Sequence, residues 1–120
     1  MDSRDKYFLN EVVKFVAKAI KLQSLPRRIV IVNDVNFAEK NLSFGVYSVE
    51  TDEIHVYGGT RHVADVCRTL CHELAHHKQR EQGKKADGHD GSPIENEANG
   101  LAGVLMRKFR YLHPEIYLEK

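Results

Sequence analysis

The chain has 120 residues, of which 42% are apolar and 29% charged, and its formal net charge is +1. This balance is that of an ordinary globular protein, so we expect one domain over residues 1–120 without extensive disorder. The near-zero charge argues against a strongly basic nucleic-acid binder, and no apolar run approaches the roughly 18–20 residues that cross a bilayer. The first residues lack the features of a secretion signal, so we expect a cytoplasmic protein with no membrane partner.

The hydrophobic pattern predicts an α+β domain in the order helix, three strands, helix, loop and helix. The first helix, residues 4–22, has apolar residues at helical spacing and ends before Pro26. β-Branched and alternating runs predict three strands, the last two forming a hairpin, at residues 28–33, 44–49 and 53–57. Helical spacing returns at residues 61–82, and the signal Ser92-Pro93 predicts the start of the last helix.

The two cysteines, Cys67 and Cys71, lie four residues apart within the predicted helix 61–82. Side chains at this spacing share a face but do not point at each other, which argues against a disulfide. We therefore expect two reduced thiols in the hydrophobic core.

The stretch His72-Glu73-Leu74-Ala75-His76 carries the clearest functional signal. Histidines four residues apart on a helix share a face, so both imidazoles can bind one tetrahedral Zn²⁺. Glu73 lies about 100° around the helix from His72, which is too far for a third ligand but suits a base acting on a metal-bound water. Metallopeptidases use this arrangement. The motif thus predicts His72 and His76 as zinc ligands and Glu73 as the catalytic base; the competing interpretation is a charged surface helix with solvated histidines.

A catalytic zinc needs a third protein ligand, and several residues downstream qualify. Gln79 and Gln82 stand where a metzincin would have Gly and His, which excludes that class. The remaining candidates lie in the loop or at the start of the last helix: His89, Asp90, Glu95 and Glu97. Glu95 shares its helix stripe with small residues that permit close helix packing, which favours it over Glu97. However, Ser92-x-x-Glu95 is also a capping box, in which Glu95 would only satisfy the helix start.

The histidine motif, followed by Glu95-Asn96-Glu97-Ala98-Asn99, resembles the gluzincin peptidases. The similarity is greatest to the small zincin-like proteins of the ImmA/IrrE type and weaker to small phage-encoded metallopeptidases, and it covers about residues 43–106. It implies a minimal zincin-like fold with an active-site helix and a C-terminal ligand helix. It also implies that Glu95 is the third zinc ligand and that Asn99, which replaces the Asp of larger gluzincins, orients a ligating histidine.

The expected activity is zinc-dependent hydrolysis of protein or peptide substrates, with Glu73 moving the proton from water to the leaving amine. An exposed strand of the hairpin would hold the substrate by main-chain pairing. Tyr47 and His55 are candidate transition-state donors if the hairpin borders the cleft, whereas we expect His77 and His89 to be solvated. The alternatives are a zinc-binding regulator that binds a partner without cleaving it, and a nucleic-acid-associated module, which the low net charge disfavours.

Overall fold

The structure of the protein is a computed structural model that describes residues 2–84 and 92–118. These residues form four α-helices, a short 3₁₀ helix and one three-stranded sheet, which confirms the predicted α+β class. In chain order the elements are α1 (Ser3–Ala19), β1 (Arg28–Val32), α2 (Val35–Asn41), β2 (Gly45–Ser48), β3 (Glu53–Tyr57), α3 (Val63–Glu81), α4 (Pro93–Leu112) and the 3₁₀ helix Pro114–Tyr117.

The sequence pattern did not predict the two-turn helix α2, nor the short 3₁₀ helix Pro114–Tyr117. The start of α2 is capped by Asp34, whose side chain accepts a hydrogen bond from the Asn36 backbone N–H at 2.9 Å. None of the residues of α2 is buried, so it lacks the apolar stripe by which a helix is recognised in a sequence.

The sheet is mixed, with strand order β1-β3-β2. β3 pairs in parallel with β1 and antiparallel with β2, so the predicted hairpin is present and β2 is an edge strand. On the central strand, Ile54 and Val56 are fully buried, and they pair across the sheet with Tyr47 and Gly45 of β2. Because paired residues point to the same face of a sheet, Gly45 and Tyr47 also face the helical layer.

Helix α3 lies at the centre of the fold and contacts α1, α4, β2 and β3. Its apolar stripe, which includes Val66, Leu70 and Leu74, is buried against these elements. Cys67 and Cys71 belong to the same stripe and are free and buried, as predicted. Burial raises the pKa of the Cys67 thiol to about 12, so it is protonated at neutral pH. Among the described residues, no helix has both the length and the apolar composition needed to cross a membrane.

Candidate metal centre

Three side chains predicted as metal ligands meet where α3 packs against the first turns of α4. His76 Nε2 lies 3.1 Å from His72 Nε2 and 2.9 Å from Glu95 Oε1, and His72 Nε2 lies 3.4 Å from the same oxygen. We call His72, His76 and Glu95 the donor cluster; among the described residues it is the one group of three or more His, Cys, Asp or Glu side chains close enough to hold a metal ion.

The local sequence explains why Glu95 reaches the histidines. Ser92 caps α4 by accepting a hydrogen bond from the Glu95 backbone N–H at 3.2 Å, and Pro93 occupies the first turn. Ala98 is fully buried in the next turn of α4, and on α3 Ala75 is 1% exposed. Small side chains of this kind let two helix backbones approach closely. The Ser92 half of the predicted capping box is therefore present, while Glu95 Oε1 lies against the two imidazoles.

The spacing of the donor cluster fits a tetrahedral zinc ion. Ligand atoms about 2.0–2.1 Å from a tetrahedral zinc are about 3.3–3.4 Å from one another. The three observed separations, 2.9, 3.1 and 3.4 Å, lie close to this value. The three side chains are 17–19% exposed, so the cluster is largely shielded but each of its side chains still reaches solvent. Two imidazole nitrogens and a carboxylate are also a donor set that zinc prefers.

One imidazole of the donor cluster, that of His76, is held by a further side chain. His76 Nδ1 lies 2.8 Å from the amide oxygen of Gln79, one turn further along α3. That the Asn99 amide on α4 orients His72, as the gluzincin resemblance implies, remains a prediction. Burial and the neighbouring His76 lower the pKa of His72, and Glu95 and Asn99 act in the opposite direction. Partners of this kind orient a ligating imidazole and are common around protein metal sites.

Glu73 is separated from the donor cluster by its different position around α3. Its side chain is 4% exposed and lies under the edge strand, where burial, and to a lesser extent the Glu95 carboxylate, raises its pKa to about 8. A dication held by the donor cluster would oppose this shift, because it favours the ionised carboxylate. Glu73 is thus a buried carboxyl group at the contact between the edge strand and α3, and it is not one of the three side chains of the donor cluster.

Gly45 of β2 allows this close approach and was not identified from the sequence. A Cβ atom at Gly45 would lie 2.8 Å from Glu73 Oε2 and 2.7 Å from Thr69 Cγ2. With contacts this short, a side chain at this position would require Glu73, Thr69 or the strand to shift, so the edge strand lies directly against the helix beside Glu73. A glycine within a predicted strand often marks a place where another element comes close to the backbone. This is the feature by which Gly45 could have been recognised in the sequence.

The prediction that His77 is solvated is wrong. His77 is 1% exposed because α3 is covered by other elements on more than one face. Its Nε2 donates a hydrogen bond to the Ser24 carbonyl at 2.7 Å, and its Nδ1 lies 3.0 Å from the Tyr47 hydroxyl. This histidine is therefore part of a buried polar connection between α3, β2 and the segment after α1.

The two candidate transition-state donors on the hairpin have other partners. The Tyr47 hydroxyl contacts His77 and lies 3.1 Å from an oxygen of Asp52. His55 Nε2 lies 3.0 Å from Glu53 Oε1 on the same strand. The structure therefore brings neither Tyr47 nor His55 into the donor cluster.

Of the other candidate ligands, Glu97 points away from the donor cluster. It accepts hydrogen bonds from Gln79 Nε2 at 2.9 Å and from Lys84 Nζ at 3.0 Å, and these partners lower its pKa. The remaining candidates, His89 and Asp90, lie outside the described residues.

Searches of the chain against protein-family models, curated proteins and solved structures find no match. The donor cluster, Glu73 and the residues that position them are therefore the features from which a function can be inferred.

Proposed function

We propose that the protein is a zinc-dependent metallopeptidase with a minimal zincin-like fold that cleaves proteins or peptides in the cytoplasm. The observation that carries the proposal is the donor cluster itself: two imidazoles and a carboxylate from two helices, at separations that suit zinc. A buried carboxyl group, Glu73, follows directly after the first of these histidines. This combination is the one that metal-assisted peptide hydrolysis requires.

In this proposal His72, His76 and Glu95 hold the metal, and a bound zinc ion would supply Lewis acidity toward water and toward a peptide carbonyl. Glu73 accepts the proton of the attacking water and delivers it to the nitrogen of the leaving amine. The carboxylate thus ends the reaction in the state in which it began. Its packing under Gly45 restricts the carboxyl group to one region of the site.

The edge strand β2 is the element that we propose to bind the substrate. It pairs with β3 on one side only, and Gly45 places its backbone in contact with the Glu73 side chain. A peptide that added to this edge by main-chain hydrogen bonds would lie beside the base. Such pairing recognises an extended backbone, so we expect unfolded or flexible segments to be the preferred substrates.

Glu73→Gln is the variant that tests the activity, because it keeps the shape of the side chain and removes its ability to accept a proton. We expect it to keep the zinc content of the wild type, measured on purified protein, and to cleave an unfolded protein substrate about 100-fold more slowly or worse. Glu39→Gln, the same change on the exposed helix α2, is the matched control and should leave both quantities unchanged. Equal cleavage rates for Glu73→Gln and the wild type would contradict the proposal.

One observation favours the alternative of a zinc-binding regulator. Tyr47 and His55, the two candidate transition-state donors, are held by other partners. If the wild-type protein binds one zinc ion per chain but does not cleave unfolded substrates, the regulator is the better description, and Glu73→Gln will then bind a protein partner as the wild type does.

A further inference from the structure

The amide of Gln79 has an orientation that its surroundings determine. Gln79 is 3% exposed at the contact between α3 and α4. Its Nε2 donates to the Ile94 carbonyl at 3.0 Å and to a Glu97 oxygen at 2.9 Å. Both partners accept hydrogen bonds and cannot donate them, so both amide hydrogens are directed at α4. The amide oxygen is therefore the atom that faces His76.

This orientation dictates which nitrogen of His76 carries its hydrogen. The Gln79 oxygen lies 2.8 Å from His76 Nδ1 and can only accept, so Nδ1 must donate. A neutral imidazole carries one hydrogen, so with Nδ1–H the other nitrogen, Nε2, offers its lone pair to the donor cluster. Without metal the Glu95 carboxylate, 2.9 Å from Nε2, competes with Gln79 for that hydrogen, so the tautomer of the metal-free chain shows which acceptor prevails. We propose that Gln79 is a positioning residue that fixes His76 as the Nδ1–H tautomer, and that Glu97 orients Gln79 from α4.

Glu97 is held in turn by Lys84, whose Nζ lies 3.0 and 2.9 Å from its two carboxylate oxygens. The connection therefore runs from Lys84 through Glu97 and Gln79 to His76. Glu97, which the sequence offered as an alternative metal ligand, thus contributes to the same site by orienting Gln79. Removing Glu97 leaves Ile94 as the acceptor for the Gln79 amide, so we expect a weaker effect than removing Gln79 itself.

The tautomer can be measured without metal and without activity. Long-range ¹H–¹⁵N spectra of the metal-free, full-length chain, recorded at alkaline pH, distinguish the two neutral tautomers of His76 from each other and from the doubly protonated ring. We expect the Nδ1–H form in the wild type and a mixture of forms in Gln79→Met, which keeps the length of the side chain but not its oxygen. Gln82→Met, at the end of the same helix, is the matched control and should resemble the wild type.

The Nε2–H form in the wild type would overturn the proposal, and this measurement does not depend on how well any variant folds. An unchanged spectrum of His76 in a folded Gln79→Met protein would overturn it as well.

The consequence for the metal rests on the proposed function and is measured separately. Side chains that orient a ligating histidine typically contribute about 10–100-fold to metal affinity. In competition with a chelator, Gln79→Met should bind zinc about 10–100-fold more weakly than the wild type, Glu97→Ala less than 10-fold more weakly, and Gln82→Met equally well. Unchanged affinity in Gln79→Met would overturn this part of the proposal and leave the metallopeptidase intact. If no variant and no wild-type protein bound zinc, the proposed function would fail, while the tautomer result would still support the role of Gln79.

Discussion

His76 and His77 are neighbours in the sequence, yet they lie in opposite surroundings. His76 faces α4, is 17% exposed at its side chain, and directs Nε2 at a second imidazole and a carboxylate. His77 faces the sheet, is 1% exposed, and has both ring nitrogens in hydrogen bonds to Ser24 and Tyr47. Since one residue along a helix corresponds to about 100° of rotation, a single step separates a candidate ligand from a structural histidine. The comparison shows that the partners of the ring, rather than the residue type, assign its role.

The largest expected effect comes from exchanging the two histidines for alanine one at a time. His76→Ala removes a donor from the cluster, so we expect the purified protein to lose its zinc while the metal-free protein stays about as stable as the wild type. His77→Ala leaves the Ser24 carbonyl and the Tyr47 hydroxyl without this partner and creates a cavity, so we expect its free energy of unfolding to fall by about 2–4 kcal/mol. Metal analysis and urea unfolding of the metal-free proteins measure the two effects.

The two variants serve as controls for each other. Loss of zinc in a folded His77→Ala protein, or equal destabilisation of the two metal-free variants, would contradict the division of roles between the two faces.

The prediction from the sequence was right about the shared face of His72 and His76 and wrong about the exposure of His77, and the difference has a physical reason. The shared face of His72 and His76 depends on helix geometry alone, which the spacing contains. The burial of His77 depends on Ser24, 53 residues earlier, and on Tyr47, 30 residues earlier. The surrounding residues, His-His-Lys-Gln-Arg-Glu, resemble an exposed helix because nothing local indicates that α3 is covered by several elements.

Gln79 and Gly45 were missed for the same reason. The acceptors that orient Gln79 belong to α4, and the space that Gly45 leaves is occupied by side chains of α3. Glu95 was a better case, since the small residues of its helix stripe indicated a close helix contact. Positions that act through one helix can thus be predicted from spacing. Positions that act between elements require the fold, unless, as at Glu95, the neighbouring small residues indicate the contact.

Gly45→Ala, which disturbs the contact between β2 and α3, should have an intermediate effect on stability and on cleavage. The new methyl group would overlap Glu73 and Thr69, so either the strand or the Glu73 carboxyl group must move. We expect the free energy of unfolding to fall by about 1–3 kcal/mol and cleavage to slow. The zinc content should stay unchanged, because the three atoms nearest to the new methyl group belong to Glu73 and Thr69 and not to the donor cluster.

Gly100→Ala is the matched control for this change. A Cβ atom at Gly100 meets nothing within 4 Å, and the residue lies within α4. Alanine should therefore stabilise the helix by about 0.5–1 kcal/mol and leave cleavage unaffected. If Gly45→Ala behaved like Gly100→Ala in both stability and cleavage, the close contact between the edge strand and Glu73 would have no functional importance.

The smallest expected effect concerns Tyr47. It decides whether this residue has a structural role, like His77, or a catalytic role beside the donor cluster. Tyr47→Phe removes the hydroxyl that contacts His77 and Asp52 and retains the ring. If Tyr47 only supports the sheet-facing side of α3, the free energy of unfolding should fall by about 1 kcal/mol, with kcat unchanged. A transition-state donor would behave differently, because removing such a group typically lowers kcat by about 100-fold or more. Since Tyr47 already has two partners and Arg80 approaches its oxygen at 3.3 Å, we expect the structural outcome, measured by urea unfolding alongside steady-state cleavage.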